Sequence, residues 1–302
     1  MDRLHAMQVF CRIVECGGFG KAADDLQLPR ASVSLAIQQL EAHLKVQLLQ
    51  RTTRRVRVTE DGAQYYQRCR QLLADLDDLE NRLGSGPRGT LRVDMPSAFG
   101  CYWIIPKLPD FYRRYPHLRL ELGFNDRQVH LQRDGVDCAL RAGEVKDPML
   151  AAKPLVKVRQ VTCASPAYLA RHGVPGSPAD LNGGHQMVRF AASDGRDFPL
   201  EFEGVEQPVR LPGLLSVDSA DAYVKAAQAG FGLIQVPRYN AGAALADGSL
   251  VPVLERYPAP DWPLALVYPP HRQGSPRLRA FIDWATQCLR EQAADTGLLI
   301  AL

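Results

Sequence analysis

The sequence predicts an α + α/β chain in three parts: a winged helix-turn-helix, a linking helix and a two-lobed α/β region. Residues 2–58 hold three short amphipathic helices followed by an arginine-rich segment with strand-like alternation. Residues 60–83 repeat apolar side chains at spacings of four and three, as a helix seam does. From Thr90 onward strand-like and helix-like segments alternate, the pattern of a sheet covered by helices. A length of 302 residues is enough for two or three domains with cores of their own.

The first helix runs from about Asp2 to Glu15, with Leu4, Met7, Phe10 and Val14 at helical spacing. Gly17-Gly18 is a turn, and a second short helix buries Phe19, Ala22, Ala23 and Leu26. The tight connection "QLP" leads to a third helix, which completes a helix-turn-helix pattern. In that third segment, "LPRASVSLAIQQLE", Pro29 suits the first turn and Val33, Ile37, Leu40 and Leu44 form the buried stripe. The opposite face holds Ala31, Ser32, Ser34, Leu35, Gln38 and Gln39. An ordinary solvent face is rich in Lys and Glu. This one is small, polar and uncharged, with a leucine at its centre. Such a face suits a DNA major groove: Gln38 for an adenine edge, Ser32 and Ser34 for bases or phosphates, Ala31 and Leu35 for a thymine methyl. Arg30, at the positive helix start, suits a phosphate or a guanine. Gln39 reads as plain surface.

"RTTRRVRVTEDG" follows, with Arg51, Arg54, Arg55 and Arg57 inside seven positions. Val56 and Val58 alternate with polar residues, which predicts a short strand pair or wing. Alone, the cluster is a solvated basic patch. Directly after a helix-turn-helix, its arginines and Thr52 read as a phosphate clamp. Thr59 caps the next helix, with Glu60 and Asp61 near its positive end. Tyr65, Cys69, Leu72, Leu76, Leu79 and Leu83 form its seam, and "GSGPRG" after it is a linker. A dimerising helix is the preferred reading over a helix packed on its own domain. Such a dimer presents two third helices about 34 Å apart and demands a roughly palindromic site on double-stranded DNA.

A net charge of +3 is too small to name a partner by itself. The seven cysteines are scattered, without a CxxC pair or a metal-like spacing, which fits a reducing compartment. Arg12 and Glu15 interrupt any secretion-signal core, and no apolar run approaches the ~20 residues of a membrane span. A cytoplasmic protein without a membrane partner is expected. No GxGxxG follows a strand, no GxSxG or HExxH occurs, and the seven histidines show no ligand spacing. Neither an enzyme nor a cofactor or metal is expected. A redox role for Cys101 would need Cys138 or Cys163 as partner, and buried inert cysteine is the commoner case.

Beyond residue 90, "TLRVDMP", "LRLELGF" and "VDCALRAG" are strands, alternating with "YWIIPKLPDFYRRYP" and "VHLQRDG" as helices, which predicts a parallel sheet. A second set begins near Cys163, with "SPAYLARHG" as helix, "QMVRFA" as strand, a hairpin turning at Glu203-Gly204, the helix "SADAYVKAAQAGFG" and the strand "LIQVP". "LALVYPP" and "SPRLRAFIDWATQCLRE" close the chain as strand and helix. The expected division is 1–59 for the winged helix-turn-helix, 60–89 for the linker helix and hinge, and 90–302 for the α/β region. Its first lobe takes 90–162 and 267–302, its second 163–266. Ser97 and Ser219 each follow a strand and precede a helix, where backbone donors converge. Asn125 ends another strand. Arg141 follows "CAL" and either holds a ligand carboxylate or is the structural partner of Asp137 or Glu144.

The combined pattern resembles the LysR-type transcriptional regulators. "FGKAADDLQLPRASVSLAIQQLE" and "LLQRTTRRVRVTEDG" match that family at Phe19, Ala22, Ala23, Ser34, Ile37, Leu40, Glu41, Arg51, Thr52, Thr59 and Gly62. "GTLRVDMPSAFG", "PDFYRRYPHLRLEL", "DCALRAGE" and "CASPAYLARHG" look like its effector-binding region, so the resemblance covers essentially the whole chain. It implies an α/β region of the periplasmic-binding-protein type. A small effector of unknown identity would lie between the lobes, with Ser97 and Ser219 facing one another and Asn125 and Arg141 nearby. It also implies a second interface and a tetramer, with RNA polymerase as a partner at the promoter. Leu35 stands where the family often has Arg or Lys, Gly18 where Ser is usual, and Lys45 where Gly is common. Position 45 therefore either leaves the left-handed region or holds a strained lysine there.

Overall fold

The structure is a computed structural model that describes residues 2–51, 56–83, 86–126, 131–145, 147–191 and 198–302. It forms two compact units, Met1–Gly89 with Gln132–Gly135, and Thr90–Leu131 with Val136–Leu302.

In the first unit α1 (Arg3–Cys16) is capped by Asp2, whose carboxylate accepts the His5 amide at 3.2 Å, and ends at Gly17 in the left-handed region. α2 (Phe19–Leu26) follows Gly18, which is extended and offers no side-chain cap. α3 spans Arg30–Leu44. β1 (Leu49–Arg51) and β2 (Val56–Val58) pair antiparallel with Gln50 opposite Arg57, the expected wing. α4 runs Glu60–Leu83. The core gathers Ala6, Val9, Phe10 and Ile13 of α1, Ala22 and Ala23 of α2, and Val33, Ile37 and Leu40 of α3. The α1 stripe thus differs from the expected one. Phe10 is buried, but Leu4 is exposed, and Leu4 and Met7 line a groove with Leu72, Leu76 and Leu79 of α4. α1 is apolar on two faces, and simple periodicity merged them.

In the second unit β3 (Gly89–Met95) leads into α5 (Ser97–Phe99), which continues through a π turn and a 3₁₀ turn into α6 (Leu108–Arg114). β4 (Leu118–Phe124), β5 (Cys138–Ala142), β6 (Ala151–Val158) and β7 (Gln160–Ala164) follow, while α7 (Leu131–Asp134), between β4 and β5 in the chain, belongs to the first unit from Gln132 on. Then come α8 (Pro166–His172), β8 (Arg189–Phe190), β9 (Ser216–Val217), α9 (Ala220–Gln228) and β10 (Ile234–Pro237). α10 (Gly242–Ala246), β11 (Val251–Pro252), β12 (Trp262–Tyr268), α11 (Pro276–Thr296) and β13 (Leu299–Ala301) complete the chain.

The first lobe is built on a six-stranded sheet of order β13-β6-β12-β5-β3-β4. It is mixed, where the alternation of strands and helices predicted a parallel sheet. β3 and β5 run parallel, but β12 returns from the second lobe against both β5 and β6, and β13 runs against β6. α11 buries Leu278, Phe281, Trp284 and Leu289 in the same core as β3, β5 and β12. The second lobe carries β10-β7-β11 and the short pair β8-β9. β7 begins at Gln160 and β12 at Trp262, so the chain changes sheets a few residues before the expected 162/163 and 266/267 boundaries. The expected hairpin at Glu203-Gly204 turns there but shrinks to one bridge, Leu200 with Val209. Pro199, Pro208 and Pro212 remove the donors that longer strands would need.

Candidate nucleic-acid interface and effector site

Val33, Ile37 and Leu40 anchor α3 in the core, so the opposite face is fixed outward. Arg30, Ala31, Ser32, Gln38 and Gln39 are exposed, Ser34 is half-buried, and Leu35 is 53% exposed. The Arg30 guanidinium lies beside Gly20 of α2. Beyond α3, Lys45 stays left-handed at φ 58°, so of the two expected alternatives the lysine holds that backbone. Arg57 is exposed on β2, and Arg51 lies in β1 opposite Val56. Thr52, Arg54 and Arg55 fall outside the described residues.

Polar contacts at the base of the wing explain several motif residues. Glu41 Oε1 accepts the amides of Leu48 at 2.8 Å and Leu49 at 3.0 Å. Thr59 Oγ1 donates to the Gln47 carbonyl at 2.8 Å and accepts the Gly62 amide at 2.9 Å. A Cβ on Gly62 would fall inside the Leu48 carbonyl oxygen, so only glycine lets α4 pass the wing this closely.

The α4 seam divides in two. Tyr65 and Cys69 pack inward against α1, which corrects their place on an outward seam. The Tyr65 ring lies 5.7 Å from Phe10, and Cys69 is 1% exposed. The Cys11 thiol beside it draws the Cys69 thiol below its usual range, while Cys69 and burial push Cys11 up. Leu72, Leu79 and Leu83 are 54%, 57% and 87% exposed, and Leu76 is half-buried.

In the second unit a chain of polar contacts runs across the ends of β3, β4 and β5. Asp94 is buried, and its Oδ1 lies 2.9 Å from Arg141 Nη1 in an ion pair without hydrogen-bond alignment. Asp94 is therefore the partner of Arg141, in place of Asp137 or Glu144. Asp137 instead accepts the Arg92 amide at 2.8 Å. Arg141 Nη2 is buried without a hydrogen-bond partner among the described residues. Asn125 Nδ2 donates to Asp94 Oδ2, and the Asn125 amide donates to the Met95 carbonyl at 3.0 Å. Asn125 is thereby held at both ends, and the next residue, Asp126, is aimed between the lobes. Its Oδ1 accepts the Ser97 amide at 2.9 Å, and its Oδ2 accepts the Ala220 amide at 2.8 Å. Ser97 and Ser219 flank one place, but what meets there is the Ser97 amide and the amide of Ala220, next to Ser219, on one carboxylate. The Ser219 hydroxyl makes no cap bond. Beside them Tyr239 packs edge-on against Phe99 and Trp103, at 6.0 Å from each. Burial, and then the Asp126 charge, push the Tyr239 phenol well up.

Sequence reasoning missed Asp94 and Asp126. The available signal was a lone carboxylate inside the apolar strand "TLRVDM", because a buried charge requires a partner. Cys101 is exposed, whereas Cys138 and Cys163 are buried in different core clusters, and burial pushes the Cys163 thiol up to about 12. Among the described residues no His, Cys, Asp and Glu cluster suits a metal, and no helix is long and apolar enough to cross a membrane.

Two family models match: the bacterial regulatory helix-turn-helix protein of the LysR family over residues 4–63, and the LysR substrate binding domain over residues 84–290. The HTH-type transcriptional regulator YhjC of Escherichia coli K12 is 41% identical, covering 96% of this chain and 99% of that protein. A transcriptional repressor of Pseudomonas aeruginosa strain UCBPP-PA14 is 38% identical, covering 96% and 93%. Among solved structures, CrgA, a LysR-type transcriptional regulator from Neisseria meningitidis, aligns over 94% of this chain and 97% of its own, at 30% identity and a TM-score of 0.51. The chain belongs to the LysR family of transcriptional regulators, with a helix-turn-helix for DNA and an effector-binding α/β region.

Proposed function

We propose that α3 reads the major groove of a promoter through Ala31, Ser32, Ser34, Leu35 and Gln38, while Arg30 and the wing arginines hold phosphates. The observation that carries this is the uncharged outward face of α3, with Leu35 at its centre, set beside a basic wing. Thr52, Arg54 and Arg55 keep the phosphate-clamp role given by their place in the sequence. The exposed Leu72, Leu79 and Leu83, with the half-buried Leu76, join two chains in a dimer, and a second interface makes the tetramer. The DNA site is then roughly palindromic, and RNA polymerase is the partner at the promoter. The working compartment is the cytoplasm, where the chromosome lies, and no catalytic step is part of the mechanism. A small effector sits between the lobes near Ser97, Asn125, Arg141 and Ser219. Its binding biases one of two arrangements of the assembly and so changes the DNA complex.

Gel shifts against DNA upstream of this protein's gene and its neighbours test the reading. Specific complexes that weaken with salt are expected. Failure to bind any such fragment at low salt would sink it.

A further inference from the structure

The Asp126 carboxylate reaches across the molecule. One oxygen takes the amide of Ser97, which opens α5 in the first lobe. The other takes the amide of Ala220, which opens α9 in the second lobe. Two backbone donors from different lobes thus converge on two oxygens of one group. A carboxylate accepts through both oxygens and suits that pair, whereas an amide side chain would put a donor against one of the two N–H groups. Asp126 is not placed there by chance of a surface rotamer. Asn125 is fixed to Asp94 by its side chain and to Met95 by its backbone, and Asp94 is fixed to Arg141.

We propose that Asp126 is a resident ligand of the regulatory unit: its carboxylate fills a carboxylate seat made by the Ser97 and Ala220 amides and clasps the two lobes without effector. A free carboxylate can take this seat only by displacing Asp126. An effector that bears a carboxylate therefore exchanges with the side chain and transfers the clasp from the chain to itself. The exchange rests on the effector reading given above. The clasp does not, and its test involves no DNA, so either can fail alone.

The test uses the full-length protein, its Asp126→Ala and Asp126→Asn variants, and sodium acetate as the probe against sodium chloride at equal ionic strength. Asp126→Ala should melt a few degrees below wild type. Acetate should raise its melting temperature saturably, while chloride does not and wild type responds far less, because a ligand stabilises only a form with a vacant seat. Equal acetate shifts in Asp126→Ala and wild type, or no shift in either, would overturn the proposal.

Asp126→Asn keeps the side-chain shape and covers the case in which the alanine variant does not fold. Hydrogen exchange by mass spectrometry should show faster exchange in this variant in both the peptide containing the Ser97 amide and the peptide containing the Ala220 amide. A local role in the first lobe alone would accelerate only the Ser97 peptide. That result, like unchanged exchange in both peptides, would contradict a clasp between lobes.

Discussion

Glu41, in the last turn of α3, holds the chain that follows: its carboxylate accepts the Leu48 amide at 2.8 Å, and the Leu49 amide shares the same oxygen. The residue that closes the α3 motif therefore sets where the wing begins relative to the outward face of α3. Hydrogen bonds to a charged acceptor are worth about 1.5–3 kcal/mol, so Glu41→Ala should destabilise the N-terminal unit by about that much. Glu41→Gln, which keeps an acceptor oxygen, should lose less. Denaturant melts of the full chain followed by a signal from the N-terminal unit check both. DNA affinity should fall in the same order.

Gly62 answers to the same contact from the other side. A methyl group there meets the Leu48 carbonyl oxygen, which is backbone and cannot swing away. Gly62→Ala should cost about 1–3 kcal/mol, as overpacking of a close contact does. Thr59→Ala, which removes a cap and leaves the space unchanged, should cost about 1 kcal/mol. A smaller loss for Gly62→Ala than for Thr59→Ala would mean that the wing can move aside.

These contacts mark how far the sequence is legible. The α3 stripe of Val33, Ile37 and Leu40 and the exposure of Leu35 follow from helical periodicity, which sees burial directly. The α4 seam does not divide by period, because Tyr65 and Leu72 belong to one stripe and only the position of α1 decides which part is covered. Arg141 was legible as a cation near strand ends, but its partner lies 47 residues earlier in the chain, on a strand made adjacent by the sheet order. Asp126 was hidden for the same reason, since the two amides it joins lie far apart in sequence. Mixed strand direction was also beyond reach, because it depends on how β12 re-enters the sheet.

Lys45 keeps the left-handed backbone at the end of α3, at φ 58°. Glycine there would relieve its Cβ but lose more freedom on folding. The balance favours Lys45→Gly by up to about 1 kcal/mol. A higher melting temperature with unchanged DNA preference is expected. A lower one would show that the lysine side chain makes a stabilising contact of its own.

Asp94 and Arg141 form a pair that is nearly removed from solvent, with side chains 2% and 12% exposed. Arg141→Met should destabilise the regulatory unit by about 3–5 kcal/mol, because it leaves the Asp94 charge buried and unpaired. The double variant Asp94→Asn with Arg141→Met should recover much of that loss. Additive losses in the double variant would show that the two residues act independently.

If the outward face of α3 selects DNA, with Leu35 at its centre, then Leu35→Arg changes the sequence selected. Selection from a random duplex library by wild type and by Leu35→Arg should return two half-sites at the same spacing for both proteins, with the base preference changed at one position in each half-site, from thymine toward guanine. Identical preferred sites from two equally folded proteins would contradict that role for the α3 face.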